Sequence, residues 1–475
     1  MWNLKKFSNN TAIIDLNKEY SYKDLIIYSN LINKKLSKKK NLILLLTENT
    51  IGSLLGYISF IIKKDVPILI DSEIKSKKLE KIINSYEPEY VWMPLHKKSR
   101  YISAKYRLIF IQLNYSLFKK KIITQNKILN SKLCLLTTTS GSTGSPKFVR
   151  QSYNNIKSNS ISIIKYLKMN NKSSTITTLP MSYTFGQSII NTHLYSGGKI
   201  VLCNYSIFQK DFWNLFFKYK VSFLYGVPYT FEQLDKLRFF DKNHNFINTI
   251  AQAGGGISVV LQKKISQYSR NYKKFFYIMY GQSEATTRIA YLHPSISHKK
   301  IGSIGKPISR GKIYLSDNNG KMINTINKVG NLIYKGSNVC LGYAIDREDL
   351  IKGDEWKNKL NTGDLAKKDK DGLFYIVGRK KRYAKIFGIS INLADIENDL
   401  SNNFLKTNFL LVSNDKKIFI FYDKKAKILK NRILIYLKKN YNLNSSIFEL
   451  KHIKIIPRLK SGKKNYMSFL TKPRN

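Results

Sequence analysis

Short unbroken apolar runs alternate along the first half of the chain with longer stretches whose apolar residues recur every three or four positions. The run LILLLT at Leu42–Thr47 reads as a buried strand, and 51–63 as a helix with Thr50 at its N-cap. VPILID at Val66–Asp71 reads as the next strand, and the lysine-rich stretch 76–85 as the next helix. This strand–helix–strand–helix rhythm predicts a parallel α/β layer. The pattern continues with a β-leaning run at 133–137 and a helix capped by Ser152 that runs to Tyr166. Residues 175–202 then read strand, loop, helix, turn, strand, and 221–225, 248–253 and Phe275–Tyr280 read as further buried strands. A helix is expected from Ser258, and 394–475 alternates apolar strands and helices again.

Length and composition narrow this picture. With 475 residues the chain is long enough for two or more domains and a large core, and 43% hydrophobic residues fit a globular protein rather than a disordered one. The best uncharged run, 51–62, is too short to cross a bilayer, and MWNLKKFSNN at the start has no apolar signal-peptide core. The cytoplasm is therefore the expected compartment. Cys134, Cys203 and Cys340 are widely spaced and read as buried small hydrophobes rather than as disulfide or zinc residues. A formal charge of +52 admits a nucleic-acid-binding or membrane-surface protein. The lysines, however, are spread along the whole length, and Lys, Asn, Ile and Tyr are abundant together, as AT-rich codons favour. Most of the charge is read as compositional bias that also suits anionic partners.

The densest candidate chemistry lies at 135–150, LLTTTSGSTGSPKFVR. Gly141 and Gly144 permit backbone angles that turn successive N–H groups around an anion. Thr138, Thr139, Ser140, Ser142 and Thr143 add hydroxyl donors, and Lys147 adds a mobile positive charge. Such a loop suits a polyphosphate. It is not the common P-loop, because Pro146 stands where that motif needs glycine before lysine.

TTSGSTGSPK resembles the phosphate-loop signature of the AMP-forming adenylating superfamily, which comprises acyl-CoA synthetases, adenylation domains of peptide synthetases, and luciferases. Further stretches resemble its companion signatures in order, over roughly 42–463. The resemblance gives Tyr183, in the loop beside Gly186, the place of the aromatic or histidine that walls the acyl pocket. It makes Gly254, Gly255 and Gly256 the glycine-rich adenine pocket, where glycine permits close approach. YGQSEATTR at 280–288 is similar to the second signature: Tyr280 would stack on adenine and Glu284 would bind Mg²⁺, with Gly281, Gln282 and Ser283 between them, serine replacing the usual threonine. The glycine-punctuated region from Gly302 to Tyr343 fits the family's distorted barrel or sheet. Asp364, after Thr362 and Gly363, would accept hydrogen bonds from both ribose hydroxyls, and Arg379 would add a cation beside ribose or α-phosphate. Lys381 falls at the family's hinge. Lys385 and Gly388 match the face presented for the thiol half-reaction, although Arg382, Ala384, Ser390 and Asp395 depart from that pattern. Lys463, in PRLKSGKKNY, is the catalytic lysine by position; Lys147 and Thr143 complete the expected catalytic set.

The resemblance implies an α/β protein in two parts. Residues 1–378 would form a large multi-layer domain of parallel sheets, helices and a distorted β-barrel, 379–382 a hinge, and 383–475 a small α+β domain. The implied activity is that of an AMP-forming acid–thiol ligase, with ATP, Mg²⁺, a small carboxylic acid, and CoA or a carrier-protein phosphopantetheine as acceptor. No acidic residue occurs from Leu179 to Lys210, where amino-acid-activating relatives place an aspartate against the substrate ammonium. Leaving that cation buried without a partner is costly, so an amino acid is disfavoured as substrate, though a carboxylate from elsewhere could substitute. The alternatives are amino-acid adenylation for a carrier protein, a luciferase-like oxygenase sharing the adenylating half, and a basic nucleic-acid-binding protein; no nucleic acid is expected as partner.

Overall fold

The apolar runs lie side by side. In the computed structural model, which describes all residues except 123–127, 139–146, 380–382, 387–388, 406, 414–416, 425–426, 442–444, 460–461 and 471–475, Leu42–Thr47 pairs in parallel with both Val66–Asp71 and Tyr90–Pro94. Leu133–Thr138 joins the other edge of Val66–Asp71, and Phe148–Ser152 folds back antiparallel on it. Among the described residues this sheet has eight strands. A second, 14-stranded sheet has a parallel centre. There Phe275–Tyr280, Thr249–Gln252, Phe223–Gly226, Ser174–Ile176, Lys199–Val201 and Thr11–Asp15 follow one another. Beyond Phe275–Tyr280 the pairing turns antiparallel through Ala290–Leu292 and Ser303–Pro307. The strands Phe374–Arg379, Lys359–Lys368, Gly330–Gly336 and Gly311–Ser316 continue from there. The expected distorted barrel thus takes the form of an antiparallel extension continuous with the parallel sheet.

Helices fill the space between the sheets. Ile51–Ile62 is buried on nearly every side, as its uncharged, largely apolar sequence requires. Gly56 makes its close approach possible, because a Cβ there would stand 2.4 Å from the Trp92 ring. The Trp92 indole N–H donates to Gly52 O at 2.9 Å, which satisfies the one polar atom of a fully buried ring. Thr50 occupies the N-cap position of this helix, but its side chain makes no capping bond. Ser152 behaves as expected: its hydroxyl accepts from Asn155 N, and Asn155 reaches back to Ser152 N, starting Tyr153–Leu167.

The C-terminal region has its own small core. Phe409–Ser413, Ile418–Tyr422 and Phe448–His452 form a three-stranded sheet against Leu393–Asn403 and Lys427–Tyr441. Ile396, Leu400, Phe409, Ile420, Ile433 and Leu437 close it. All three cysteines are buried, and burial pushes the Cys203 and Cys340 thiols up to about 11 and about 12. No helix among the described residues is long and apolar enough to cross a membrane.

One buried cation fastens the eight-stranded sheet to residues 341–355, the segment that connects two strands of the larger sheet, Gly330–Gly336 and Lys359–Lys368. Arg150 is fully buried, and its guanidinium donates to Tyr343 O at 2.9 Å and Leu341 O at 3.3 Å, to Lys352 O, and to the Glu355 carboxylate. Removing the guanidinium takes the donor from several backbone carbonyls at once. Arg150→Met is therefore expected to lower stability by about 1–3 kcal/mol, the cost of leaving hydrogen-bonding groups without their partner. Glu355→Gln, at a half-exposed partner, should cost under about 1.5 kcal/mol. Urea denaturation of both variants checks this, and equal losses would mean that the carbonyl contacts contribute little.

Candidate active site

The strand Phe275–Tyr280 runs out into the turn at 281–284, and three side chains gather at its end. The Tyr280 hydroxyl donates to Asp364 Oδ2, while Arg379 Nε donates to Asp364 Oδ1 at 2.7 Å. Strand register causes the second contact, since Asp364 and Arg379 are direct partners across the antiparallel pair Lys359–Lys368 and Phe374–Arg379. Burial, and then the carboxylate beside it, push the Tyr280 phenol well above its ordinary value. The same carboxylate raises Arg379. Asp364 thus enters the site as a fixed, oriented anion with further lone pairs on both oxygens.

Glu284 follows in the same turn. It accepts from the Tyr343 hydroxyl at 2.9 Å, and Lys147 Nζ sits 3.4 Å from the centroid of the Tyr343 ring. Tyr343 therefore links the lysine that closes the phosphate-loop segment to the carboxylate proposed for magnesium. Ser283 Oγ lies 3.0 Å from Thr184 Oγ1, at the start of Thr184–Ser196. Gly281 is forced to be glycine, because a Cβ would stand 1.7 Å from Thr287 O. At Gly186 a Cβ would likewise meet backbone, 2.3 Å from Pro180 O, so this glycine sets how closely that helix meets the preceding loop.

Lys463 arrives from the far end of the chain. Its Nζ lies 5.5 Å from the Tyr183 ring centroid, and its Cε 4.0 Å from where a Gly254 Cβ would be. Gly254 has φ +87°, and such a Cβ would also come within 2.9 Å of the Tyr183 hydroxyl. Gly462 holds φ +76°, and its missing Cβ would stand 2.5 Å from Val227. Two left-handed glycines on facing segments therefore let the lysine in. Loss of water lowers the Lys463 ammonium to about 8; Arg379 pushes it further down, and Glu284 and Asp364 partly offset this. On its own side the lysine is flanked by Lys464 and Tyr466, which both donate to Glu397 Oε1 at 2.7 Å. Across the gap, Arg458 stacks 4.3 Å from the Tyr229 centroid and reaches Glu232 at 3.3 Å.

The structure thus brings Tyr183, Gly254, Glu284, Asp364, Arg379 and Lys463 together, and Lys147 joins through Tyr343. Thr139, Ser140, Gly141, Ser142, Thr143, Gly144, Lys381 and Gly388 lie outside the described residues, and Lys385 is described by its backbone alone. Gly255 packs near Pro228 without strain, and Gln282 occupies the N-cap position of the turn at Ser283–Ala285 without a side-chain capping bond. Two contributors escaped the sequence reading. Tyr343 carried no motif. Arg288 closed the quoted stretch YGQSEATTR, where a charge directly before the apolar residues Ile289 and Ala290 was the available signal.

Comparison with known proteins identifies a family. The family described as AMP-binding enzyme matches residues 2–344, and the chain belongs to that family. It is similar to the marinolic acid–CoA ligase of Pseudoalteromonas sp., 29% identical over 279 residues that cover 55% of this chain and 42% of that one. It is also similar to bacitracin synthase 2 of Bacillus licheniformis, 25% identical over 416 residues, 84% of this chain but 15% of that one. The chain thus spans less than half the length of these relatives. Its fold is similar to O-succinylbenzoate coenzyme A synthetase from Bacillus subtilis solved with AMP. The TM-score is 0.79 at 18% identity, covering 99% and 97% of the two chains.

The depressed amine gives a direct check on where Lys463 resides. Competitive labelling with a small amine-reactive reagent, read peptide by peptide by mass spectrometry, should give Lys463 a midpoint near pH 8. Exposed lysines should titrate near about 10.4. A Lys463 midpoint with the rest would mean that its loop spends little time in the site.

Proposed function

We propose that the protein is an AMP-forming acid–thiol ligase, which activates a carboxylic acid with ATP and passes the acyl group to CoA or to a carrier-protein phosphopantetheine. The observation that carries this reading is the convergence of Tyr183, Gly254, Glu284, Asp364 and Arg379 around the Lys463 ammonium. The reading includes a hinge at 379–382, a small domain at 383–475, and a cytoplasmic setting.

The residues fit a nucleotide. A Cβ at Gly254 would fill the cradle beside Tyr183, and Asp364 offers two oxygens oriented by Tyr280 and Arg379. They also fit Mg²⁺, which keeps several waters and needs few protein carboxylates. Glu284 would hold the ion, which would neutralise charge on the phosphate oxygens.

A carboxylate is a poor electrophile, being anionic and without a leaving group. Attack of its oxygen on the α-phosphorus of ATP forms the acyl–phosphate bond and breaks the bond to pyrophosphate. The resulting mixed anhydride has AMP as a good leaving group. Charge rises on the α-phosphate as this happens. Lys463, held largely out of water, then interacts far more strongly with it than a surface lysine would. Arg379, oriented by Asp364, adds a second fixed cation. Lys147 supplies charge toward the pyrophosphate. Tyr183 shields the reacting carboxylate from water. Thiol attack on the acyl carbon afterwards expels AMP.

Purified protein given ATP, magnesium and a panel of acids should release AMP and pyrophosphate only when a suitable acid is present; ADP as product would overturn the reading. Lys463→Ala should slow adenylation by about 10²–10³-fold, the usual cost of one transition-state donor. Thioester formation from supplied acyl-adenylate should change little. Equal loss in both halves would make Lys463 a structural residue.

A further inference from the structure

Arg288 is 2% exposed, yet among the described residues no carboxylate pairs with it. Its Nε is buried without any hydrogen-bond partner. The guanidinium carbon lies 4.1 Å from the Phe185 ring centroid, and its neighbours are the phenols of Tyr166, which hydrogen-bonds to it, Tyr183 and Tyr225. The chain's other deeply buried arginines are treated differently. Arg150 meets Glu355 and four carbonyls, and Arg347 meets Glu89 and the carbonyls of Tyr86 and Glu87. A cation–π contact replaces only part of what an ion pair supplies.

The position is also rigidly set. Thr286 and Thr287 both hold positive φ, 48° and 98°, which β-branched residues resist. Their hydroxyls donate to Asn338 O at 2.7 Å and Thr184 O at 2.9 Å, and the Arg288 carbonyl accepts from Asn159 at 3.0 Å and Asn338 at 2.8 Å. Strain held this firmly belongs to sites where a side chain must be aimed. The aim is along the acyl side of the site. Lys463 sits 5.5 Å from the Tyr183 ring, the Tyr183 and Phe185 rings are 6.4 Å apart, and Arg288 covers Phe185.

We propose that Arg288 is the specificity-determining residue of the acyl pocket, and that the acid activated here carries a second anionic group which this guanidinium receives. The proposal rests on the ligase reading and names its substrate class: one end of the acid meets ATP beside Lys463, and the other meets Arg288 among the aromatic rings. A guanidinium binds carboxylate or phosphate in the same forked geometry, so both are candidate second anions.

The test is pyrophosphate exchange by the intact protein with matched pairs: butyrate and succinate, valerate and glutarate, hexanoate and adipate, 3-phenylpropanoate and its ring-carboxylated analogue. A parallel arm uses ω-phosphorylated acids of the same lengths. At one length the doubly anionic member should be preferred by about 10²-fold or more in kcat/KM, as in sites whose buried polar group is otherwise left unpaired. The arm showing that preference identifies the second anion. Arg288→Met should abolish the preference, chiefly through KM, and raise use of the singly charged partner; Arg288→Lys should restore part of it. Exchange by the parent protein with monoacids alone would overturn the proposal and leave the ligase reading intact. Equal loss with both members of a pair in Arg288→Met, at unchanged KM ratio, would make Arg288 a packing residue. Absence of exchange with every acid would remove both readings.

Discussion

Taking a cation out of water is the constraint on which this structure turns. The chain carries 82 lysines and arginines against 30 acidic residues, so carboxylate partners for buried cations are scarce. An unpaired buried ion costs several kcal/mol, against about 2 kcal/mol returned by a desolvated cation–π contact. Arg150 and Arg347 meet that cost with carbonyls and a glutamate each, and they serve as fasteners. Lys463 meets it by giving up its proton more readily, and Arg288 is left with aromatic faces and the Tyr166 hydroxyl. The cations for which the fold supplies least are those nearest the proposed chemistry. An incoming anion completes both environments, so the same deficit that weakens the empty site strengthens its hold on a substrate.

Much of the fold was legible because buried parallel strands leave unmistakable apolar runs. Leu42–Thr47, Val66–Asp71 and Phe275–Tyr280 have the bounds read from the sequence. The Ser152 cap was legible for the same local reason, while Thr50 shows the limit: a residue type suited to a cap need not use its hydroxyl as one. The joining of the antiparallel extension to the parallel sheet depends on pairings between strands far apart in sequence, such as Phe374–Arg379 with Ser303–Pro307, which no local pattern encodes.

The candidate site divides along similar lines. Glu284, Asp364 and Lys463 sit in short stretches with recognisable neighbours, and each could be singled out. What links them could not. Tyr343 stands in an ordinary β-leaning stretch, yet it touches both Glu284 and Lys147. Arg288 looked like the tail of a motif until its surroundings proved to lack a counter-charge. A side chain's type is written in the sequence, whereas the absence of its partner is a property of three-dimensional neighbours.

The two sets of contacts around Lys463 differ in how far water reaches them. Glu397, which receives Lys464 and Tyr466, is almost entirely enclosed, whereas the Glu232 side chain, which receives Arg458, is 37% exposed. Mobile ions screen the second far more than the first, over a Debye length of about 8 Å at physiological ionic strength. Added salt therefore loosens the grip of the lysine loop on the opposite body without loosening the loop itself. Ionic strength becomes a means of setting how often the lysine occupies the site, separate from temperature or denaturant, which act on the whole fold.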